Sequence, residues 1–150
     1  MGRSQSRALE LFEKAAVTAA GNTRILREVV TALAEVDLIK PAQTYLGRFP
    51  PNTQGGPDYL AMDLLVIHKS GMLGRAIERG REILSKGVED PLIYQTLIRA
   101  SAEAGFVPAA EALVSKAQAK YPEQKQAFAE ALSGAQLKTG DEHRKTASKA

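Results

Sequence analysis

Apolar side chains recur along this chain at intervals of three and four, the spacing that gathers them on one face of a helix. The pattern is sharpest between 91 and 120. Tyr94, Leu97, Ile98 and Ser101 share one face, and Ala110, Leu113, Val114 and Ala117 share another. Gly105 separates the two runs and can supply the positive φ that ends a helix. Pro108 is tolerated in the first turn of the helix that follows. The stretch predicts a helix-turn-helix hairpin.

The same pattern predicts further helices. Residues 5–20, with Ala8, Leu9, Phe12, Ala15 and Ala16, form a helix that reads as the second half of a hairpin. Gly21-Asn22-Thr23 is a turn and N-cap. Residues 23–36 carry Leu26, Val29, Val30 and Leu33, and residues 40–48 carry Ala42, Tyr45 and Leu46. The Pro- and Gly-rich run 49–57 is a loop, long for a helix-helix connection, and reads either as a packing adjustment or as a docking lip. Residues 58–70 carry Leu60, Leu64 and Ile67; residues 74–86 carry Ala76, Ile77, Ile83 and Leu84. A last helix, 123–137, carries Phe128, Ala131, Leu132 and Ala135.

The faces repeat. Ala110, Ala76, Ala42 and Ala8 stand 34 residues apart, as do Tyr94, Leu60 and Leu26, and Gly105 and Gly71. Ala117 maps back onto Ile83, Phe49 and Ala15. Small residues recur where helices cross closely and large ones where a helix faces its neighbour, the mark of a repeat architecture. Two positions depart from it. Asp63 stands where the last repeat has Leu97, which implies a shifted register or a solvent edge. Gly80 replaces a large residue and implies a close helix contact or a weak point.

In the third repeat Tyr94, Leu97, Gly105, Ala110, Ala117 and Pro122 stand where a tetratricopeptide repeat carries its large residue, Leu, Gly, Ala, Ala and Pro. The chain resembles that family over about residues 5–137, although Ile98 and Ser101 replace its usual Gly and Tyr. The resemblance implies an all-α, right-handed solenoid of about three hairpins plus flanking end helices. The first helix of each pair would line a concave groove. That groove would present Arg24, Arg27, Glu28, Thr31 and Glu35 from the first repeat, and Asp58, Met62, Leu65, His68 and Lys69 from the second. Gln95, Thr96, Arg99 and Glu103 would come from the third. Such a surface suits an extended or helical peptide, and its charged members read equally as ordinary solvated faces. The family's carboxylate clamp for chaperone tails would fall on Arg27, Thr31, Met62, Leu92 and Thr96. Only Arg27 suits that role, so this mode is disfavoured.

Tyr94-Gln95-Thr96-Leu97-Ile98 followed by Glu103-Ala104-Gly105 is also similar to a pentatricopeptide repeat, a reader of single-stranded RNA. The base-reading positions would be Gln95, Ala61 and Arg27, which form no consistent polar code. RNA is the alternative partner to a protein or peptide.

Composition narrows the picture. At 150 residues with no Cys, the chain has neither a disulfide framework nor a thiolate metal site. Net charge is +3, and Lys138, Arg144, Lys145 and Lys149 against Asp141 and Glu142 put +2 of it in the last residues, leaving a nearly neutral body. That is not the charge pattern of a strong nucleic-acid binder. The expected organisation is a flexible lead over 1–4, a repeat domain over 5–137 and a disordered basic tail over 138–150. No run is long enough to span a membrane, and no signal-peptide core is present; a cytoplasmic setting is expected. Gly2 with Ser6 fits the N-myristoylation pattern, which is short and needs a eukaryotic host; an artificial start to the chain fits it equally. His68 and His143 lack companions at metal-ligand spacing, and Gly55-Gly56-Pro57 is not a phosphate loop. The expectation is a non-catalytic adaptor without cofactor or metal, part of a larger assembly, with an exposed end helix able to pair with a second copy.

Overall fold

A computed structural model describes residues 22–149, with side chains as far as Lys138, and of the earlier residues only Glu10 and Lys14. The helix expected at 5–20, with Ala8, Leu9, Phe12, Ala15 and Ala16, lies outside the described residues, as do Gly2 and Ser6. The described residues are all-helical. Seven α-helices are present among them: α1 Thr23–Glu35, α2 Ile39–Leu46, α3 Pro57–Lys69, α4 Leu73–Ser85, α5 Pro91–Glu103, α6 Val107–Lys120 and α7 Lys125–Lys149. Single 3-10 turns stand at Pro51–Thr53 and Pro122–Gln124.

The repeat is kept by the backbone to the residue. Helices α1, α3, α5 and α7 begin at Thr23, Pro57, Pro91 and Lys125, and α2, α4 and α6 at Ile39, Leu73 and Val107, each series in steps of 34. Positive φ recurs at the same interval, 61° at Asp37, 83° at Gly71 and 91° at Gly105. The turns at Asp37 and Gly105 close alike. The Leu38 N–H donates to the Leu33 carbonyl at 2.9 Å, and the Phe106 N–H to the Ser101 carbonyl at 2.8 Å. Inside them the Asp37 and Gly105 N–H groups reach the Ala34 and Ala102 carbonyls, each at 3.1 Å. These paired bonds satisfy carbonyls that a helix end leaves open, and they require the left-handed residue between.

Starts are set as firmly. The Asn22 side chain accepts from the Arg24 and Ile25 N–H groups, and Asp90 from that of Leu92. Pro57 and Pro91 occupy the first helical position, where no N–H is required.

By its contacts the chain divides between Ser70 and Gly71 into two compact units. In the first, α1 packs on α2 and α3, and α2 on α3. Leu26, Val29, Val30, Leu33, Ala42, Tyr45, Leu46, Leu60 and Leu64 are all buried, as the faces predict. In the second, α5 packs on α4, α6 and α7, and α6 packs on α7. Tyr94, Ile98, Ala117, Phe128 and Ala131 form its core, and Ala102, Ala110 and Ala135 a smaller cluster. Each large side chain sealed there contributes about 1.5–3 kcal/mol of burial.

The irregular positions now have reasons. Helix α3 starts in phase, so Asp63 marks no register shift; it sits half-buried. Gly80 is buried and makes the close contact, with the side chain of Leu97 against it. The run 47–56 is an unwound helix end rather than an insertion, because α3 still begins on the period. Gly47 and Pro50-Pro51 stop α2 early, and the run is held by its own residues and by α3. Phe49 is buried edge-on to Tyr59 at 5.6 Å, and the Thr53 hydroxyl donates to the Pro50 carbonyl at 2.7 Å. The described backbone of α7 is helical to Lys149, over the stretch read from the sequence as a basic tail at 138–150. Extending a formed helix needs no new nucleus, and this stretch holds no proline.

Candidate functional site

Five of the sequence-predicted groove residues lie on one stripe of α1. Arg24, Arg27, Glu28, Thr31 and Glu35, with Ala32, line an open depression of about 400 Å³. Their spacing of three, four, seven, eight and eleven from Arg24 keeps them on the face opposite the core residues Val29, Val30 and Leu33. Arg24, Glu28 and Glu35 are exposed, and Arg27 and Thr31 are half-buried.

Two members of the stripe bind α1 to α3. The Arg27 guanidinium meets the Asp58 carboxylate at 3.0 Å, and the Thr23 hydroxyl donates to the other Asp58 oxygen at 3.1 Å. Both charged side chains are about one-fifth exposed (20% and 22%), so solvent screens the pair only in part. The Thr31 hydroxyl lies 3.4 Å from the Met62 sulfur. Arg27 and Thr31 therefore serve the helix packing as much as the surface. Arg24, Glu28 and Glu35 remain the outward-facing charges, a cation and two carboxylates on one helical face.

The remaining predicted residues separate into two groups. Met62, Leu65 and His68 are 0%, 3% and 8% exposed, which removes them as groove-lining contacts. The physical reason is that α3 is apolar nearly all round, from Leu60 to Ile67, and is buried on more than one face. On α5, Gln95, Arg99 and Glu103 are half-buried, and Glu103 meets Lys138 of α7 at 3.8 Å. Thr96 is fully buried, and its hydroxyl makes no hydrogen bond among the described residues.

Ala32 is the member of the stripe that sequence reasoning missed. Its small side chain between Glu28 and Glu35 deepens the face, and a lone Ala in a helix carries no signal of that role. Among the described residues no group of three His, Asp or Glu side chains lies within reach of one metal ion. No helix there is long and apolar enough to cross a membrane. No protein-family model matches the chain, and no curated protein or solved structure matches it.

Proposed function

We propose that the chain is a non-catalytic protein-interaction module, a tetratricopeptide-like adaptor within a larger assembly. It would hold a peptide or helix along the first helices of its repeats. The observation that carries this reading is the α1 stripe: an open depression whose outward charges, Arg24, Glu28 and Glu35, are arranged along about three helical turns. A ligand of alternating charge meets each in turn, and such contacts set partner choice and register more than raw affinity. The in-phase helix starts support the solenoid that this reading takes as its frame. A cytoplasmic setting belongs to the same proposal.

The test is a pull-down from the protein's own cell extract, with and without nuclease, beside an Arg24→Glu/Glu28→Lys variant. Both side chains are exposed, so the exchange leaves the packing intact. Arg27 is unsuited to the test because its loss would strand Asp58. A protein partner that survives nuclease and is lost in the variant supports the α1 face. A partner kept by the variant overturns it, and RNA recovered with the wild type favours the pentatricopeptide-like alternative.

A further inference from the structure

The second unit carries a trough that the repeat reading does not use. Helix α5 forms its floor at Leu97, α4 one wall through Arg81, Leu84 and Ser85, and α6 the other through Ala109, Ala112, Leu113 and Lys116. Its volume is about 450 Å³, within the roughly 300–1,000 Å³ of ligand pockets. Small residues open it, because Ala109 and Ala112 leave the α6 wall low.

Its charge is one-sided. Arg81 and Lys116 stand on opposite walls, both exposed, and no carboxylate lines the trough. Neither cation makes an ion pair among the described residues. Two carboxylates of the same unit are engaged elsewhere: Glu82 is held by Arg79 at 3.3 Å and by Lys86 at 3.1 Å, and Glu89 by Lys120 at 2.9 Å. Lys86 and Arg79 hold the Glu82 carboxyl below its ordinary range, and the hydrogen bond to Glu89 holds Lys120 above its own. The trough is therefore apolar along its length and positive on both edges.

We propose that it docks an acidic amphipathic helix of a partner protein. The α6 wall from Ala109 to Lys116 spans about 10 Å at 1.5 Å per residue, so two turns of a bound helix fill it. Aliphatic side chains at spacings of three and four rest on the half-buried Leu84 and Leu113, above the buried Leu97. Carboxylates flanking that stripe reach Arg81 on one side and Lys116 on the other. This is the helix-in-groove mode of peptide recognition, with charge selecting the partner.

The probe is a labelled helical peptide with Leu at positions i, i+3, i+4 and i+7 and Glu elsewhere, beside a twin with Lys for every Glu. Binding to the full chain is followed by fluorescence anisotropy. The Glu peptide is expected to bind saturably and the Lys peptide not to. Arg81→Glu/Lys116→Glu is expected to weaken the Glu peptide about tenfold or more and to gain binding of the Lys peptide; circular dichroism verifies that the variant folds. Arg24→Glu/Glu28→Lys on α1 should leave both affinities unchanged, which keeps this site's failure distinct from that of the α1 face. The proposal is overturned by no saturable Glu-peptide binding, by equal binding of the twin peptides, by an unaltered affinity in the Arg81/Lys116 variant, or by loss in the α1 variant.

Discussion

A Cβ built on Gly80 would lie 2.9 Å from Leu97 Cδ1, so Leu97 occupies the room that a side chain at Gly80 would need. Gly80→Ala should gain about 1 kcal/mol of helix propensity. It should lose more, about 2 kcal/mol, by overpacking, because Leu97 is 1% exposed and cannot swing away freely. The expected net loss is about 1 kcal/mol. Leu97→Ala alone should cost about 3 kcal/mol, and the double variant should be more stable than the sum of the two by about 2 kcal/mol, the overpacking that Leu97→Ala relieves. Urea denaturation of all four proteins measures the coupling; strict additivity would show that the two residues do not compete for space.

Arg27 and Asp58 should behave as a pair. Arg27→Glu puts a second carboxylate beside Asp58, and the expected cost is about 2 kcal/mol, more than either alanine substitution. Exchanging the charges, Arg27→Asp with Asp58→Arg, should recover at least half of that loss. Thermal unfolding of the swap beside the single variants decides the matter. No recovery would mean that Thr23 and the helix packing, not the ion pair, hold α1 to α3.

The three equivalent turns make opposite forecasts for two substitutions. Asp37 adopts φ 61° with a side chain that resists it, whereas Gly105 adopts φ 91° with none. Asp37→Gly should stabilise by about 0.5 kcal/mol, the relief of left-handed strain less the entropy of a freer unfolded chain. Gly105→Ala should destabilise by about 1 kcal/mol; a Cβ there meets no atom within 4 Å, so the cost is conformational alone. Shifts of the same sign in the melting temperatures would show that the two turns are not energetically alike.

Tyr121 should make the fold sensitive to alkali. Its ring packs on Tyr94 and Phe128 at 6.0 and 6.1 Å, and its hydroxyl makes no hydrogen bond among the described residues. Burial, the largest cause, pushes its ionisation above the ordinary tyrosine value. The folded form thus holds the proton more tightly than the unfolded one. This contribution is complete below about pH 10 and is lost as the pH rises through the folded value. Tyr121→Phe keeps the ring contacts and removes an unmet hydroxyl, so it should stabilise at neutral pH by about 1 kcal/mol. Its denaturation midpoint should also fall less between about pH 9 and 11, and an equal or steeper fall would refute the assignment.

Most of the fold was legible because it is written in faces. Tyr94, Leu97 and Ile98 recur at helical spacing, and what recurs is what packs. Gly71 and Gly105 announce their turns, and Asp37 takes the same conformation where the sequence offers no glycine to signal it. The groove was less legible. Repeat position places Met62, Leu65 and His68 beside Arg27 and Thr31, but position says nothing of how much of α3 is covered, and its apolar run covers them.

The phase of the turns also fixes how this chain can change in length. Val36, Ser70 and Ala104 each stand one residue before a left-handed turn. Splicing Val36 directly to Gly71 would remove one whole period and leave every later cap and buried face at its own position in the helix. A cut of any other size in the same place would rotate all that follows, about 100° for each residue lost or gained. Duplication and loss in such a chain are therefore confined to complete units, with the joints lying at the turns and not in the loop that looks most permissive.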